Sequence, residues 1–325
     1  MTKHSHILFS YIFDADGRGA RLENQRVSQE LKNEGLTWVH LDANSHFTQK
    51  WIKKEVSYLD HLIIDALTAE ETRPRVTEFA DGLLIILRGI NLNQNAEPDD
   101  MVSLRIWVDK DRIITLQRRD MKAVFDIRNE IEEGKTIKTS GEFLYNLIYQ
   151  ILNVTSPFLY ALGDKLDVLE EKVVKERDAD FRAEVREIRT QSTVFKRYLS
   201  PQREAIAKLR IYDHAWIDKW SKRHFQENLD HITMMIEEID EVRDRAQILH
   251  EEMFHGLTEK LNKSMYSLSL VASIFIPLTF FTSIFSVNIG GLPGVGIENA
   301  FLWMMLSMAF LAFVQIIFFK KKSLF

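Results

Sequence analysis

The chain of 325 residues contains no cysteine. Disulfide bonds, thiolate metal sites and cysteine nucleophiles are therefore excluded, and the absence fits a reducing compartment. The sequence also lacks a nucleophile elbow, a phosphate-binding loop and a strong cluster of metal ligands. We therefore expect that the protein is not an enzyme and needs no cofactor.

An excess of positive charge is missing as well. The chain has 42 Lys and Arg against 47 Asp and Glu, a net charge of −5. Residues 266–325 carry three lysines and one acidic residue, Glu298, so residues 1–265 hold a net charge of −7. A negative body attracts cations and repels nucleic acid. With no basic stripe in the sequence, nucleic acid is not an expected partner.

Two long apolar runs lie near the end of the chain. Tyr266–Phe285 and Ala300–Phe319 each contain 20 residues and no charged side chain. As helices, runs of this length span ~30 Å, the thickness of the hydrocarbon core of a lipid bilayer. We therefore predict a transmembrane hairpin at 266–325, with a short extracytoplasmic loop at 286–299.

The lysines predict the orientation of this hairpin. Lys260 and Lys263 precede the first span, and three lysines at 320–322 follow the second, whereas the connecting loop has no Lys or Arg. The positive-inside rule then predicts that both termini are cytoplasmic. The start of the chain has one lysine and a short apolar stretch that Asp14 ends, which is unlike a signal peptide.

Residues 1–140 predict a cytosolic α+β domain with a mixed sheet. Apolar and β-branched runs indicate five strands: Ile7–Phe13, Thr37–Asp42, Leu83–Ile90, Val102–Val108 and Arg112–Gln117. The short acidic segment 109–111 between the last two runs indicates a hairpin. Helical spacing appears in Asp60–Ala69 and in Met121–Ile131.

Residues 141–265 predict long stalk helices. Two apolar series repeat at helical spacing, Leu159, Leu162, Leu166, Leu169 and Val173 in one, and Leu229, Ile232, Ile236, Ile239, Val242, Ala246, Leu249 and Met253 in the other. The second series continues into the first span without a proline or another break signal. We therefore predict one helix from about Gln226 to Phe285, which joins the stalk to the membrane without a flexible linker.

The first span carries a stripe of residues on one helical face. Its apolar part, from the cytoplasmic side, is Met265, Leu268, Ala272 and Ile276, and its hydroxyl-bearing part is Thr279, Ser283 and Ser286. Such a stripe suits a pore with a hydrophobic constriction and a polar mouth. Since two spans cannot enclose a pore, conduction would require a homo-oligomer. In the alternative interpretation, Ser and Thr only let membrane helices pack closely.

Val287 and Asn288 follow this stripe at the loop. The amide oxygen of Asn288, repeated around a symmetry axis, could hold a cation through its water shell, or the residue could simply end the helix. Neither span contains Asp, Glu, His, Lys, Arg or Cys. We therefore expect an ion that crosses here to stay partly hydrated, and we exclude a proton relay inside the spans.

A cluster of acidic residues lies in the stalk. Its members are Glu237, Glu238, Asp240, Glu241 and Asp244. They are weak candidates for a divalent-cation site. The alternative is a solvated helix face on which these carboxylates pair with Arg243 and Arg245.

Several segments together resemble the ZntB zinc transporters, a branch of the CorA metal-ion transporter superfamily. They are Leu67–Arg75, Leu87–Asn91, Asp100–Trp107, Arg197–Arg203 and Leu268–Gly294. The resemblance covers nearly the whole chain. It implies a homopentameric funnel in a bacterial inner membrane, a pore lined by the first span, and zinc as the transported ion, with proton-linked uptake.

The chain departs from this family at the outer mouth of the pore. Where the family usually reads Thr-Gly-x-x-Gly-Ile/Val-Asn, residues 282–288 read Thr-Ser-Ile-Phe-Ser-Val-Asn. Ser283 and Ser286 thus replace glycines, so the resemblance leaves the transported ion open at this point. The alternatives are a magnesium or other divalent-cation channel of the same superfamily, and a non-conducting membrane-anchored sensor or scaffold.

Overall fold

A computed structural model describes residues 6–56, 59–70, 72–175, 180–287, 290, 292, 294 and 296–321. The strands are β1 (Ile7–Phe13), β2 (Gly19–Arg21), β3 (Thr37–Asp42), β4 (Arg75–Glu78), β5 (Gly82–Gly89), β6 (Val102–Asp109) and β7 (Arg112–Gln117). The helices are α1 (Asn24–Glu30), α2 (His46–Glu55), α3 (His61–Thr68), α4 (Lys122–Glu132), α5 (Ser140–Lys175), α6 (Arg182–Leu209), α7 (Lys219–Ser286) and α8 (Ala300–Lys321). The chain divides into two units, Met1–His250 and Glu251–Phe325.

The first unit contains a seven-stranded mixed sheet in the order β2-β1-β3-β7-β6-β5-β4. β3 and β7 are parallel, and the other neighbouring strands are antiparallel. β6 and β7 form the predicted hairpin, in which the Asp109 carboxylate accepts hydrogen bonds from the amides of Asp111 and Arg112. The mixed sheet and the five strands predicted from the sequence are thus confirmed.

The two faces of the sheet are covered by different helices. On one face, Val39, Leu41 and Trp107 pack in a core with residues of α1, α2 and α3. On the other, Trp38 packs against Phe143 of α5, with 4.8 Å between the centroids of the two tilted rings. Because both faces are covered, the central strands β5, β6 and β7 are buried along almost their whole length.

The stalk series form buried helical seams. Leu159, Leu162, Leu166 and Leu169 of α5 are buried, as are Ile232, Ile236, Ile239, Val242, Ala246 and Leu249 of α7. α7 is a single helix of 68 residues. It begins seven residues before the predicted Gln226 and ends one residue after the predicted Phe285, so the continuous helix is confirmed.

Several elements were not predicted from the sequence. β2 and β4 are only three and four residues long, too short for an alternating pattern to be recognised. α6 contains Pro201 in its interior, and proline in a sequence normally signals the end of a helix. The division at residues 140 and 265 into three domains stays a prediction.

Candidate functional site

α7 and α8 are long and apolar enough to cross a membrane, and their most apolar stretches contain no buried residue in the single chain. Leu268 on α7 and Phe301 on α8 are each 71 % exposed. An apolar surface of this extent is unfavourable in water. It therefore has to be covered by lipid, by further copies of the chain, or by both.

The predicted stripe lies along the second unit's part of α7. Met265, Leu268 and Ile276 are exposed, as are Thr279, Ser283 and Ser286, and Ala272 is partly exposed. Val287 follows as a bend, while Asn288 lies outside the described residues. The helix thus places an apolar segment and a hydroxylated segment one after the other on one face. The position of the Asn288 side-chain amide stays a prediction.

The hydroxyl groups of the stripe are oriented by their own helix. The Thr279 hydroxyl donates to the Phe275 carbonyl at 2.7 Å, and the Ser283 hydroxyl donates to the Thr279 carbonyl at 2.8 Å. A hydroxyl has one proton and two lone pairs, so each oxygen can only accept a further hydrogen bond. Water molecules around a cation point their hydrogens outward, so these two oxygens suit a hydrated cation.

Pro277 lies inside the span, and α7 continues through it as a helix. Proline has no amide hydrogen, so the carbonyl of Ser273 lacks the donor that residue 277 would normally supply. One turn of the span therefore has a weakened hydrogen-bond ladder just before the hydroxylated segment.

The loop between the spans uses left-handed backbone conformations. Gly294 and Gly296 have φ of +100° and +93°, and Asn299 has φ of 68°. Glycine adopts such angles without steric cost. Next to this loop, Phe281, Phe285 and Trp303 help to line an apolar cavity of about 540 Å³.

The acidic cluster of the stalk is paired with basic side chains. Lys196 of α6 lies 2.6 Å from Asp240, and Arg243 lies 3.0 Å from Asp244. Arg245 binds Asp167 and Glu170 of α5 at 2.5 and 2.6 Å. Within the described residues, no group of three or more His, Asp or Glu could hold a metal ion.

These ion pairs connect α7 to two neighbouring helices, α5 and α6. The hydrogen bonds that Arg245 donates to Glu170 and Asp167 raise the pKa of Arg245, which keeps the guanidinium charged. Arg245 therefore ties α7 to α5, and Lys196 ties it to α6. The observed contacts correspond to the second interpretation of the acidic cluster, a solvated helix face with paired charges. Glu237 and Glu238 do not take part in these ion pairs.

Four of the segments that resemble known transporters meet at Arg88. Its guanidinium donates to the carbonyls of Thr72 and Met101, each at 2.8 Å, and lies 4.3 Å from the ring centroid of Tyr198. Its backbone amide donates to Gln202 at 2.7 Å. These segments are far apart in the sequence, so only the fold reveals their common contact.

Comparison with known proteins gives a consistent result. A family model described as CorA-like Mg²⁺ transporter protein matches residues 33–321. The divalent cation transporter CmaX of Pseudomonas aeruginosa is 34 % identical over 298 residues, which cover 91 % of this chain and 90 % of that protein. The zinc transport protein ZntB of Pectobacterium carotovorum is 33 % identical over 292 residues, covering 90 % and 88 %.

A solved structure supports the same relationship. The structure of the full-length CmaX protein matches with a TM-score of 0.83 and 32 % identity, and the match covers 97 % of each chain. A match of this extent takes in both the sheet and the helices α7 and α8. The chain therefore belongs to the CorA-like Mg²⁺ transporter family.

Proposed function

We propose that the chain transports divalent cations across a bacterial inner membrane, with zinc as its main substrate. Membership of the family and the similarity to the divalent cation transporter CmaX and the zinc transport protein ZntB support this proposal. The observation that carries it is the stripe on α7, which is apolar at one end, hydroxylated at the other and free of charged side chains. That pattern suits a pore that is lined by the first span.

The pore is formed by several copies of the chain, and the proposed number is five. Two helices cannot surround an aqueous path, and the described spans leave large apolar surfaces exposed. In a symmetric ring, the hydroxyls of Thr279 and Ser283 would each form one layer of hydrogen-bond acceptors. The apolar residues Leu268 and Ile276 would form the narrower segment on the cytoplasmic side.

The ion crosses with part of its water shell. Removing water from a divalent cation requires charged or strongly donating ligands, and the sequence of both spans lacks Asp, Glu, His and Cys. The lysines at both cytoplasmic ends support an orientation with both termini in the cytosol. Any coupling to protons would then use groups outside the spans.

Flux through reconstituted protein tests the proposal. The purified chain in liposomes that contain a zinc-sensitive dye should give zinc-dependent flux, and the same assay with a magnesium dye separates the two candidate ions. Absence of flux for both ions from a correctly assembled protein would favour a membrane-anchored sensor instead.

Matched variants test the stripe itself. Replacing Thr279 and Ser283 together by alanine removes two hydrogen-bond acceptors from each copy. It should lower flux by about three- to tenfold, which corresponds to the net free energy of one hydrogen bond. Ser273→Ala is the control, because its hydroxyl donates to the Ser269 carbonyl in the same way but lies about 80–120° around the helix. Equal loss of flux in both variants would contradict the assignment of the face.

A further inference from the structure

A pocket lies where the loop between β5 and β6 meets α5 and α6. Its volume is about 170 Å³. Glu97, Pro98 and Asp99 of the loop line one side, and four residues of α5 and three residues of α6 line the rest. We call this cavity the loop pocket. It shares no residue with the stripe on α7 or with the acidic cluster of the stalk, so the proposed transport function does not account for it.

The floor of the loop pocket is apolar. It consists of Phe158 and Leu162 of α5 and Phe195 of α6. Leu162 and Phe195 belong to the core, at 4 % and 2 % exposure. The small side chain of Ala161, on the same wall, leaves space between the two helices. An apolar cavity of about 150 Å³ holds a benzene molecule, so the loop pocket has room for one ring or for an aliphatic chain of similar size.

The rim of the loop pocket is acidic. Glu97, Asp99 and Glu187 contribute three carboxylates. Lys165 contributes the one basic group, so the lining has a formal charge of 1 − 3 = −2. In the described part of the chain, no ion pair joins these carboxylates to a basic side chain. Nε2 of Gln191 donates to the Glu187 carboxylate at 3.3 Å, which holds this side chain beside the pocket.

The backbone of the loop holds the other two carboxylates at the rim. The amide of Asp100 donates to the Glu97 carbonyl at 3.1 Å, and the amide of Met101 donates to the Asp99 carbonyl at 2.8 Å. The amide of Asn91 donates to the Pro98 carbonyl at 3.3 Å and closes the loop. The loop is therefore shaped by main-chain hydrogen bonds. A ligand that binds here does not have to order the loop first, which lowers the cost of binding.

We propose that the loop pocket binds a small organic amine in its protonated form, an alkyl- or arylammonium ion with one positive charge. An ammonium group donates up to three hydrogen bonds, and carboxylates are strong acceptors for them. The hydrocarbon part of the ligand packs on the apolar floor, where Phe158 and Phe195 offer aromatic rings. Apolar walls with a few polar groups at one end are typical of small-molecule sites.

Other classes of ligand fit the loop pocket less well. A bare metal ion would leave the apolar floor unused, and within the described residues no group of three or more His, Asp or Glu could hold one. An anion would meet three carboxylates. A neutral apolar molecule would bury the carboxylates of the rim without giving them a hydrogen-bond donor, which is costly.

Binding of an amine would connect three elements of the first unit. The ammonium group would join Glu97 and Asp99 of the loop to Glu187 of α6, while the hydrocarbon part would contact α5. The ligand would therefore fasten the loop between β5 and β6 to the pair of helices. This inference is independent of the ion that the protein transports.

Isothermal titration of the purified full chain with phenethylammonium chloride tests the proposal. Titration into the same detergent buffer without protein is subtracted. We expect a Kd of about 0.1–1 mM, typical of a ligand with so few atoms. The alcohol 2-phenylethanol has the same shape without the charge and should bind several-fold more weakly. The anion 3-phenylpropionate should bind most weakly of the three.

Matched variants locate the binding site. Glu187→Gln should weaken amine binding by about three- to tenfold, since it removes one charged acceptor at a solvent-exposed rim. Glu184→Gln is the control, because Glu184 is exposed on the same helix but does not line the pocket. Ala161→Phe fills the cavity from an exposed position and should abolish binding without a change in charge.

Three results would overturn the proposal. The first is the absence of binding at about 10 mM amine, well above the expected Kd. The second is equal affinity for the amine and for 2-phenylethanol, which would show that the carboxylates do not recognise the ligand. The third is an unchanged affinity in Ala161→Phe, or an equal loss in Glu187→Gln and Glu184→Gln, which would place the binding site elsewhere. Circular dichroism checks that each variant is folded.

Discussion

The two parts of α7 find their packing partners in different ways. From Phe225 to Leu249, a buried residue recurs every three or four positions, and Ile239 is only 2 % exposed in the single chain. After His250, no described residue of the chain is buried. The first part is therefore packed by its own chain, whereas the second part needs lipid or other copies. One helix thus combines a globular-protein surface with a membrane-protein surface.

The difference shows why hydrophobicity alone does not reveal what covers a helix. Both parts are rich in Leu, Ile and Met, but charged residues separate the apolar positions of the first part and are absent from the span. The charged face predicts water on one side. The uncharged span predicts that every side meets apolar atoms.

The largest effect of the difference between the two parts of α7 should be the assembly of several copies of the chain. In mild detergent, the full chain should form a stable particle with several times the mass of one 38.1 kDa chain, and five copies are expected. The reason is that two spans cannot enclose a pore on their own and leave a large apolar surface exposed in the single chain. Light scattering measures the mass. A monomer at micromolar concentration would remove the basis for a pore.

A pair of isoleucines tests the packing of the first part. Ile239 is 2 % exposed and Ile248 is 58 % exposed, and both lie on α7. Ile239→Ala should destabilise the protein by about 2–5 kcal/mol through lost burial and a cavity. Ile248→Ala should cost about 0.5 kcal/mol or less. Equilibrium unfolding measures both, and a similar cost would show that another copy covers Ile248.

Acid stability should depend on residues outside the spans, because the spans contain no Asp, Glu or His. Burial lowers the pKa of His40 to about 3; hydrogen bonds with Gln117 and Thr115 oppose this shift, and the charge of Arg128 adds to it. Between pH 6.5 and 3, the unfolded chain therefore binds a proton that the folded chain does not. The stability from the neutral imidazole is complete above pH 6.5 and is lost as the pH falls.

The replacement His40→Gln checks this effect. It should make unfolding less dependent on pH between 6.5 and 3, by up to about 1.4 kcal/mol per pH unit. His61→Gln, at an exposed position on α3, is the control and should leave the profile unchanged. If the profile of His40→Gln matched that of the unaltered chain, acid sensitivity would have another origin.

Sequence patterns predicted those features that depend on local spacing. The 3-and-4 spacing of Leu159–Leu169 predicted a helical seam, and the run from Gln226 onward predicted a helix that continues into the span. The meeting of Arg88, Arg105 and Arg118 at the end of α3 could not be predicted in this way. The three arginines are separated by 17 and 13 residues, and only the fold brings their guanidinium groups to the carbonyls of Thr72, Ala69 and Thr68.

The candidate pore stripe was predictable because helical periodicity alone defines it. The hydrogen bonds of the stripe could not be predicted, because a sequence does not tell whether the hydroxyls of Thr279 and Ser283 donate to their own helix or to a neighbouring one. The acidic cluster shows a similar limit. Lys196 and Arg245 bring charges from separate helices into contact with Asp240 and Glu170, and this contact depends on tertiary packing.

The smallest expected effect concerns the last residue of α7. Ser286 is helical. Among the described non-glycine residues, positive φ occurs at Asn95 and Asn299 and not at Ser286. Serine therefore carries no left-handed strain at this position. Its hydroxyl can join those of Thr279 and Ser283 on the stripe.

Replacing Ser286 by glycine should lower stability by about 0.5–1 kcal/mol, because glycine loses more backbone entropy in a helix. It should also widen the mouth of the pore and reduce the discrimination among divalent ions, since every copy would lose one hydroxyl near the axis. Thermal unfolding and competition between zinc and magnesium flux measure the two effects. A variant that is more stable and keeps its ion preference would show that Ser286 is strained and takes no part in a polar ring.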